Sequence, residues 1–266
     1  MNRTVLRNGC IMDGTGNPWI RGDLAIEGEK ITAIGTFESL DGDTVVDIQD
    51  QIVCPGFIDI HTHSDTAFLL DRHAYSKVCQ GVTTEVVGNC GLSCAPLIGE
   101  GGQTYLRVNC GLFGQQLSAD WESMAEYLDR LQASGLPLNV AAQVGHSTLR
   151  ASAMGYASGP PSEAERRTME QILRQSMEAG AFGMTLGYKP GDQADEDELV
   201  HLGRIVSEYD GFVADHSAQL SPKRGQPDGE TTYLAMTSVM RRVLAVSARA
   251  RVPVQISHVK AIGPAA

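Results

Sequence analysis

Residues 55–65 read Pro-Gly-Phe-Ile-Asp-Ile-His-Thr-His-Ser-Asp, an apolar run that ends in two histidines and a carboxylate. Alternate side chains of a strand share a face, so His61 and His63 are expected to point the same way. At the carboxyl end of a buried parallel strand, that face looks into a barrel mouth, where two imidazoles can chelate one metal ion. The alternative, a strand end with two exposed histidines, is disfavoured by the adjacent Pro-Gly, the aspartate and the sequence downstream.

Downstream of Pro55, predicted strands alternate with predicted helices, the pattern of a parallel sheet with helical crossovers. The strands are 57–61, 83–87, 138–144, 182–186, 211–215 and 252–257, and the helices are 121–133, 162–179, 195–209 and 231–250. Residues 88–115 are rich in Gly, Cys and Asn with weak periodicity, which predicts a long functional loop. Six β/α units are two short of a closed barrel. We therefore expect an incomplete α/β (TIM) barrel and suspect a fragment of a longer chain.

The first 54 residues have a different pattern, with short strands separated by turn residues. Residues 23–35 show the clearest case, a strand, a turn and a second strand with alternation on both arms. This segment contains no cluster of reactive side chains. It predicts a small structural β-domain over residues 1–54, followed by the barrel over residues 55–266.

Composition excludes several classes of partner. The formal net charge of −11 over 266 residues argues against nucleic acid and against an anionic membrane surface. No apolar run approaches the roughly 20 residues of a membrane span, and the N-terminus lacks the apolar core of a signal peptide. The six cysteines are expected to be reduced thiols. We therefore expect a cytoplasmic protein.

The histidines are concentrated where barrel active sites form. Five of the seven follow predicted strand ends, at His61, His63, His146, His216 and His258, and Cys90 follows another. His73 and His201 are predicted on helices, at the surface. Neutral imidazoles and one thiolate suit zinc, which polarises carbonyl groups and acidifies bound water. The pattern therefore favours metal-assisted hydrolysis of an amide or related carbon–nitrogen bond.

Several of these residues have a second interpretation. Cys90 alone would more often be a buried structural thiol, but its place at a strand end favours a ligand. For His146, a supporting or substrate role is favoured over metal ligation. Asp59 and Asp65 flank the first histidines and are best interpreted as groups that orient them.

The run at residues 55–65 is similar to the amidohydrolase superfamily. Residues 81–96, Gly-Val-Thr-Thr-Glu-Val-Val-Gly-Asn-Cys-Gly-Leu-Ser-Cys-Ala-Pro, resemble more narrowly the N-acyl-D-amino-acid deacylases (D-aminoacylases), which carry a cysteine where many relatives have a carboxylated lysine. Residues 145–150, 183–191 and 256–260 match as well, so the resemblance covers essentially the whole chain. It implies zinc-dependent hydrolysis of N-acyl-D-amino acids to a carboxylate and a D-amino acid.

The resemblance also implies roles for individual residues. Cys90, His216 and His258 would hold a tightly bound zinc ion, and His61 and His63 would complete a second, weaker position. Tyr188 and Lys260 would bind the carboxylate of a small N-acyl amino acid substrate, although packing at the barrel rim is an equal alternative for Tyr188.

Two departures from the family pattern keep alternatives open. His216 is followed by Ser-Ala-Gln rather than by an arginine and an acidic residue, which leaves the substrate preference open. The catalytic aspartate of the family would lie beyond residue 266, so little activity is expected of this chain alone. The alternatives are a cyclic amidase or dipeptidase of the same superfamily, and a non-catalytic metal-binding remnant.

Overall fold

The computed structural model describes residues 3–110, 119–157, 159–187, 194–216 and 229–257. The chain divides into two compact units, residues 1–57 and 58–266. The division falls three residues after the predicted boundary at residue 54. No described helix has both the length and the apolar character needed to cross a membrane.

The first unit is a five-stranded β-sheet. Its strands are β1 (Arg3–Ile11), β2 (Ile20–Glu27), β3 (Lys30–Gly35), β4 (Thr44–Asp47) and β5 (Ile52–Val53). β1 pairs antiparallel with β2, and β2 with β3, whereas β4 and β5 both lie parallel to β1. Val5 and Ala25 are fully buried on the inner face of this sheet. Among the described residues, the group able to share a metal ion lies outside this unit.

The second unit alternates strands with helices. Its strands are β6 (Phe57–Asp59), β7 (Val82–Val87), β8 (Asn139–Ala142), β9 (Val144–Gly145), β10 (Gly183–Leu186), β11 (Phe212–His216) and β12 (Val254–Ser257). Its helices are α1 (Ala67–Leu70), α2 (Tyr75–Val78), α3 (Gly99–Cys110), α4 (Met124–Ala133), α5 (His146–Met154), α6 (Glu163–Glu178), α7 (Glu196–Glu208) and α8 (Gly229–Ala250). All six predicted barrel strands are present, with ends shifted by one or two residues.

The strands of this unit follow one another in chain order. β6, β7 and β8 form one sheet, and β9 to β12 form a second, with parallel pairs from β9 onward. β8 and β9 are two parts of one strand, because the Gln143 N–H between them donates to Val87 O at 3.1 Å. Strands in chain order, with helices between them, fit the predicted incomplete (β/α) barrel. Closure into a full barrel is not seen within the described ranges.

Local sequence signals account for the helix starts. Ser123 caps α4 and Ser162 caps α6, each in a reciprocal capping box with the glutamate three residues on. The predicted start of a helix at Trp121 is therefore wrong by three residues, because Ser123 is the cap. Asp195 caps α7 through its side chain, which accepts a hydrogen bond from the Glu198 N–H at 2.7 Å.

The prediction of a loop over residues 88–115 is wrong for residues 99–110, which form α3. The glycines of α3 are poor helix formers, so this helix is not predicted from the sequence. They are required by close packing: a Cβ on Gly101 would lie 2.2 Å from Ala151 O, in α5. The same packing places α3 beside the candidate site.

Candidate metal centre

The loop that carries His61 and His63 follows β6 and is anchored on β7. The Thr62 N–H donates to Val86 O at 3.2 Å, and the Thr62 hydroxyl donates to Glu85 at 3.3 Å. The two imidazole rings lie edge to face, with centroids 5.6 Å apart. The two imidazole rings therefore lie side by side, and Thr62 between them in sequence contacts β7 instead.

Cys90 lies in a tight turn after β7 with an uncommon backbone conformation. Its φ is +58°, and Gly88 and Gly91 beside it have φ of +82° and +75°. Few residues with a side chain adopt this left-handed region, and those that do are concentrated at functional sites. At Gly88 even a methyl group would lie 2.3 Å from Gln143 O. The turn thus fixes the direction in which the thiol points.

Two side chains hold this turn in place. The Thr185 hydroxyl in β10 accepts a hydrogen bond from the Gly91 N–H at 2.9 Å and donates to Gly88 O at 2.6 Å. The fully buried Asn89 side chain donates to Thr62 O at 3.2 Å. Asn89 therefore ties the Cys90 turn to the loop of the two histidines.

The Cys90 sulfur lies between two imidazoles. Its Sγ is 3.3 Å from His61 Nε2 and 2.8 Å from His216 Nδ1. The ligand atoms of His61, His63 and Cys90 all lie within 4.8 Å of one another. Donors around tetrahedral zinc, at about 2.0–2.3 Å from the metal, are separated by roughly 3.5 Å. The site therefore fits zinc in both donor type and spacing.

The electrostatic environment of the thiol depends on a cation. Burial, and secondarily the nearby Asp65 carboxylate, raise the pKa of Cys90 to about 12, so the metal-free thiol keeps its proton at neutral pH. Burial also raises the pKa of Asp65 to about 7, and Asp65 Oδ1 has no hydrogen-bond partner among the described residues. A divalent cation reverses such effects, because coordination deprotonates a thiol. An incompletely compensated buried carboxylate beside the histidine loop favours the same ion.

Two contacts orient His61. Asp59 accepts a hydrogen bond from the His61 N–H at 3.3 Å and pairs with Lys77 at 2.8 Å. At the end of β12, Ser257 Oγ lies 3.1 Å from His61 Nδ1. A partner on the second ring nitrogen fixes the tautomer and ring orientation of a metal-binding histidine. Ser257 could not be predicted from the sequence, since a serine at a strand end does not reveal its partner.

His146, for which a supporting or substrate role is predicted, contacts α7. It opens α5, is fully buried, and its Nε2 lies 2.7 Å from Glu198 Oε1 in α7. Its hydrogen bond therefore goes to a buried ion cluster and not to a ring of the metal centre. Arg150 belongs to the same cluster, which sequence reasoning did not identify.

The remaining predicted residues fall into two groups. His258, Tyr188 and Lys260 lie outside the described residues, and their roles stay predictions. His201 is exposed on α7 near Glu170, as expected of a surface residue. His73 is also exposed, but it lies in the turn between α1 and α2 rather than on a helix.

A cavity adjoins His63 beneath α3. Its walls include His63, Asp65, Leu92, Tyr105, Leu106 and Asn109. Tyr105 is almost completely buried, and burial raises the pKa of its phenol, which is hydrogen-bonded to Ser147. The cavity thus offers apolar and polar groups within reach of the metal-binding loop.

Sequence comparisons place these features among known proteins. The model of the amidohydrolase family matches residues 44–262. The chain is 35% identical over 261 residues to a D-aminoacylase of Alcaligenes xylosoxydans xylosoxydans, covering 97% of this chain and 51% of that protein. It is 37% identical over 263 residues to an N-acyl-D-glutamate deacylase of the same organism, covering 98% and 50%. The chain therefore spans about half the length of the curated relatives it matches.

Solved structures give the same result. An N-acyl-D-glutamate deacylase from Bordetella bronchiseptica, complexed with zinc and a phosphonate inhibitor, superimposes with a TM-score of 0.83 at 33% identity, covering 98% of this chain and 52% of that chain. A D-aminoacylase structure gives 0.86 at 30% identity, with coverage of 98% and 52%. A D-hydantoinase shares the fold with a TM-score of 0.59 at 18% identity, covering 97% and 52%. The predicted resemblance to the deacylases is thereby confirmed.

Proposed function

Since the chain belongs to the amidohydrolase family, we propose that its site binds zinc and serves hydrolysis of the amide bond of N-acyl-D-amino acids, releasing a carboxylate and a D-amino acid. The observation that carries this proposal is the position of Cys90 Sγ, 3.3 Å from His61 Nε2 and 2.8 Å from His216 Nδ1. The relatives support the substrate class, since those at 35% and 37% identity are D-amino-acid deacylases.

The residues that would hold zinc are Cys90 and His216, with His61 and His63 at a second, weaker position. His258, outside the described residues, is proposed as a further ligand of the tight position. Zinc bound here would polarise the amide carbonyl and make a water molecule acidic enough to lose a proton near neutral pH. A thiolate between two positions can serve both, which the location of the Cys90 sulfur supports.

The chain's own residues prepare this chemistry before any metal arrives. The left-handed turn points the Cys90 thiol at the imidazoles, and Thr185 prevents the turn from relaxing. Ser257 orients the His61 ring through Nδ1 and leaves Nε2 directed at the sulfur. Preorganised ligands of this kind lose little entropy when the metal binds.

For substrate, we propose a small N-acyl amino acid whose carboxylate is bound by Tyr188 and Lys260. An ammonium and a phenol suit a carboxylate because both donate hydrogen bonds to it. We also propose a cytoplasmic location, because a reducing compartment keeps a zinc-binding thiol available. Reduced thiols at Cys10, Cys54 and Cys79 support that location.

The metal site is tested by elemental analysis of purified protein. Wild-type protein should carry about one zinc ion per chain, and Cys90→Ala should lose most of it, because a soft thiolate is the strongest donor of the set. Cys54→Ala is the matched control, since Cys54 is an exposed thiol outside the cluster. Unchanged zinc content in the Cys90 variant would remove this residue from the site.

The substrate class is tested with zinc-loaded protein and N-acetyl-D-amino acids beside their L enantiomers. Acetate release from the D series alone supports the deacylase function. No acetate release, either from this zinc-loaded chain or from the chain extended with the carboxyl-terminal segment of a D-aminoacylase, favours the metal-binding, non-catalytic alternative.

A further inference from the structure

A buried ion cluster joins α5 to α7 beside the metal centre. Arg150 Nη1 lies 2.7 Å from Glu198 Oε1 and 2.5 Å from Oε2, and His146 Nε2 lies 2.7 Å from Oε1. Arg150 and His146 are completely buried, and Glu198 is 3% exposed. Arg150 also donates to Gly159 O at 2.5 Å. One carboxylate thus holds two side chains of α5 that lie four residues apart on the same face.

Stability alone is a weak reason for this arrangement. A buried ion pair is often no more stabilising than apolar side chains of similar volume. Here the cluster also leaves Arg150 Nε and His146 Nδ1 without partners among the described residues. It does, however, fix the first turn of α5 against the first turn of α7 in one geometry. Specification of geometry is the best-supported use of buried polar groups.

The start of α5 is hydrogen-bonded directly to the segment that carries Cys90. The Ser147 N–H donates to Gly91 O at 3.0 Å. The Thr148 hydroxyl accepts from the Ser93 N–H at 2.9 Å and donates to Ser93 O at 3.2 Å. Gly145, just before the helix, packs so closely that a Cβ there would lie 2.5 Å from Gly91 O. A shift of α5 would therefore move Gly91, the residue after Cys90.

The Cys90 turn has little capacity to absorb such a shift. Cys90 has a left-handed backbone, and Gly91 is held on its other side by Thr185 at 2.9 Å. A strained conformation persists only where its surroundings determine it. Here the turn is held on one side by the hydrogen bonds of Thr185 in β10 and on the other side by the start of α5.

We propose that Glu198, with Arg150 and His146, positions the Cys90 sulfur for zinc through α5, and so sets the affinity of the metal centre. These are positioning residues that touch neither metal nor substrate. The inference rests on the proposed zinc site at Cys90. It adds to that site a support that begins in α7, two helices after α5 in the chain.

The test separates positioning from stability with a charge-free replacement. Glu198→Gln removes the carboxylate but leaves the Arg150 charge buried. The double variant Arg150→Met, Glu198→Leu removes both charges and is expected to fold, because apolar replacements of buried ion pairs are tolerated. Thr148→Val breaks the contact of α5 with Ser93 and leaves the charges in place. Glu196→Gln is the matched control on α7, since the Glu196 side chain is partly exposed and pairs with Arg249.

Two measurements are made on variants that denaturation shows to be folded. The zinc dissociation constant is obtained by competition with a chromogenic chelator, and the thiolate-to-metal charge-transfer band is recorded with cobalt. We expect zinc binding about 10–100-fold weaker in the double variant and in Thr148→Val, the loss typical of supporting residues, with an altered cobalt band. Glu196→Gln should stay within about twofold, as expected of a distant surface change.

Wild-type affinity and an unchanged cobalt band in the folded double variant would overturn the positioning role and leave the zinc site standing. Wild-type protein that binds no zinc through Cys90 would refute the zinc site, and with it this inference. The Cys90→Ala variant, measured alongside, distinguishes the two results.

Discussion

Two carboxylates, those of Glu198 and Asp65, are buried in the second unit, and the groups that surround them differ. Glu198 accepts hydrogen bonds from Arg150 and His146, which outweigh the effect of burial and hold its pKa below the ordinary value. Asp65 is also buried, but the pKa of its carboxyl rises to about 7, because burial outweighs its backbone hydrogen bonds, and its Oδ1 has no partner in the described part of the chain. The same chemical group is thus compensated in one region and left incomplete in the other.

The difference shows what each region is for. Burying a charge is costly unless a partner is supplied, so a compensated carboxylate belongs to the scaffold. Asp65 has backbone hydrogen bonds, among them those with Gly88 and Cys94, but burial outweighs them. A divalent cation bound at the site would stabilise the charged Asp65 carboxylate, as Arg150 stabilises that of Glu198.

The largest effect is expected from a substitution of Glu198, the carboxylate that has charged partners. Glu198→Gln should lower the free energy of unfolding by about 3–5 kcal/mol, because it leaves the Arg150 charge buried without a counter-charge. Urea unfolding of metal-free protein at pH 7 measures this difference. Glu196→Gln, the partly exposed control, should change it by about 0.5 kcal/mol or less. A loss of similar size in the two variants would show that Glu198 does not stabilise the fold more than the control residue does.

The second prediction concerns the metal centre and the stabilisation that bound zinc gives it. Zinc at about 100 times its dissociation constant should raise the free energy of unfolding of wild-type protein by about 2.7 kcal/mol. Cys90→Ala should gain far less at the same zinc concentration, because the unfolded chain and the weakened site bind almost equally poorly. Equal gains in both proteins would place the stabilising zinc somewhere other than this centre.

Much of the metal centre could be predicted from sequence because its residues are set by local rules. His61 and His63 lie together in the loop that directly follows β6, and the ends of neighbouring strands bring Cys90 and His216 to them. The Glu198 cluster could not be found in this way. Glu198 is 48 residues from Arg150 in the chain, and their pairing depends on which faces of two helices pack together.

The third prediction replaces the Asp65 carboxylate with an amide and expects a gain in the free energy of unfolding, where Glu198→Gln is expected to cause a loss. At pH 8, above the pKa of about 7 that burial gives Asp65, Asp65→Asn should raise the stability of metal-free protein by on the order of 1 kcal/mol, since a buried charge is removed. Asp129→Asn, an exposed change on α4, should be neutral. A clear loss of stability would mean that Asp65 is already compensated without metal.

The smallest expected effect concerns pH and follows from the direction of the Glu198 shift. The pKa of Glu198 is lower in the folded protein than its ordinary value, because hydrogen bonds from His146 and Arg150 outweigh burial. Ionised Glu198 therefore stabilises the fold fully above the ordinary glutamate pKa, and this contribution is lost as pH falls through the folded-state value. Protonated glutamic acid resembles glutamine, so the stability gap between wild type and Glu198→Gln should narrow towards low pH. Urea unfolding of both proteins from pH 7 to about pH 2 measures the gap, which should narrow only below the ordinary glutamate pKa, and a gap that widened on acidification would assign the stabilisation to a neutral Glu198.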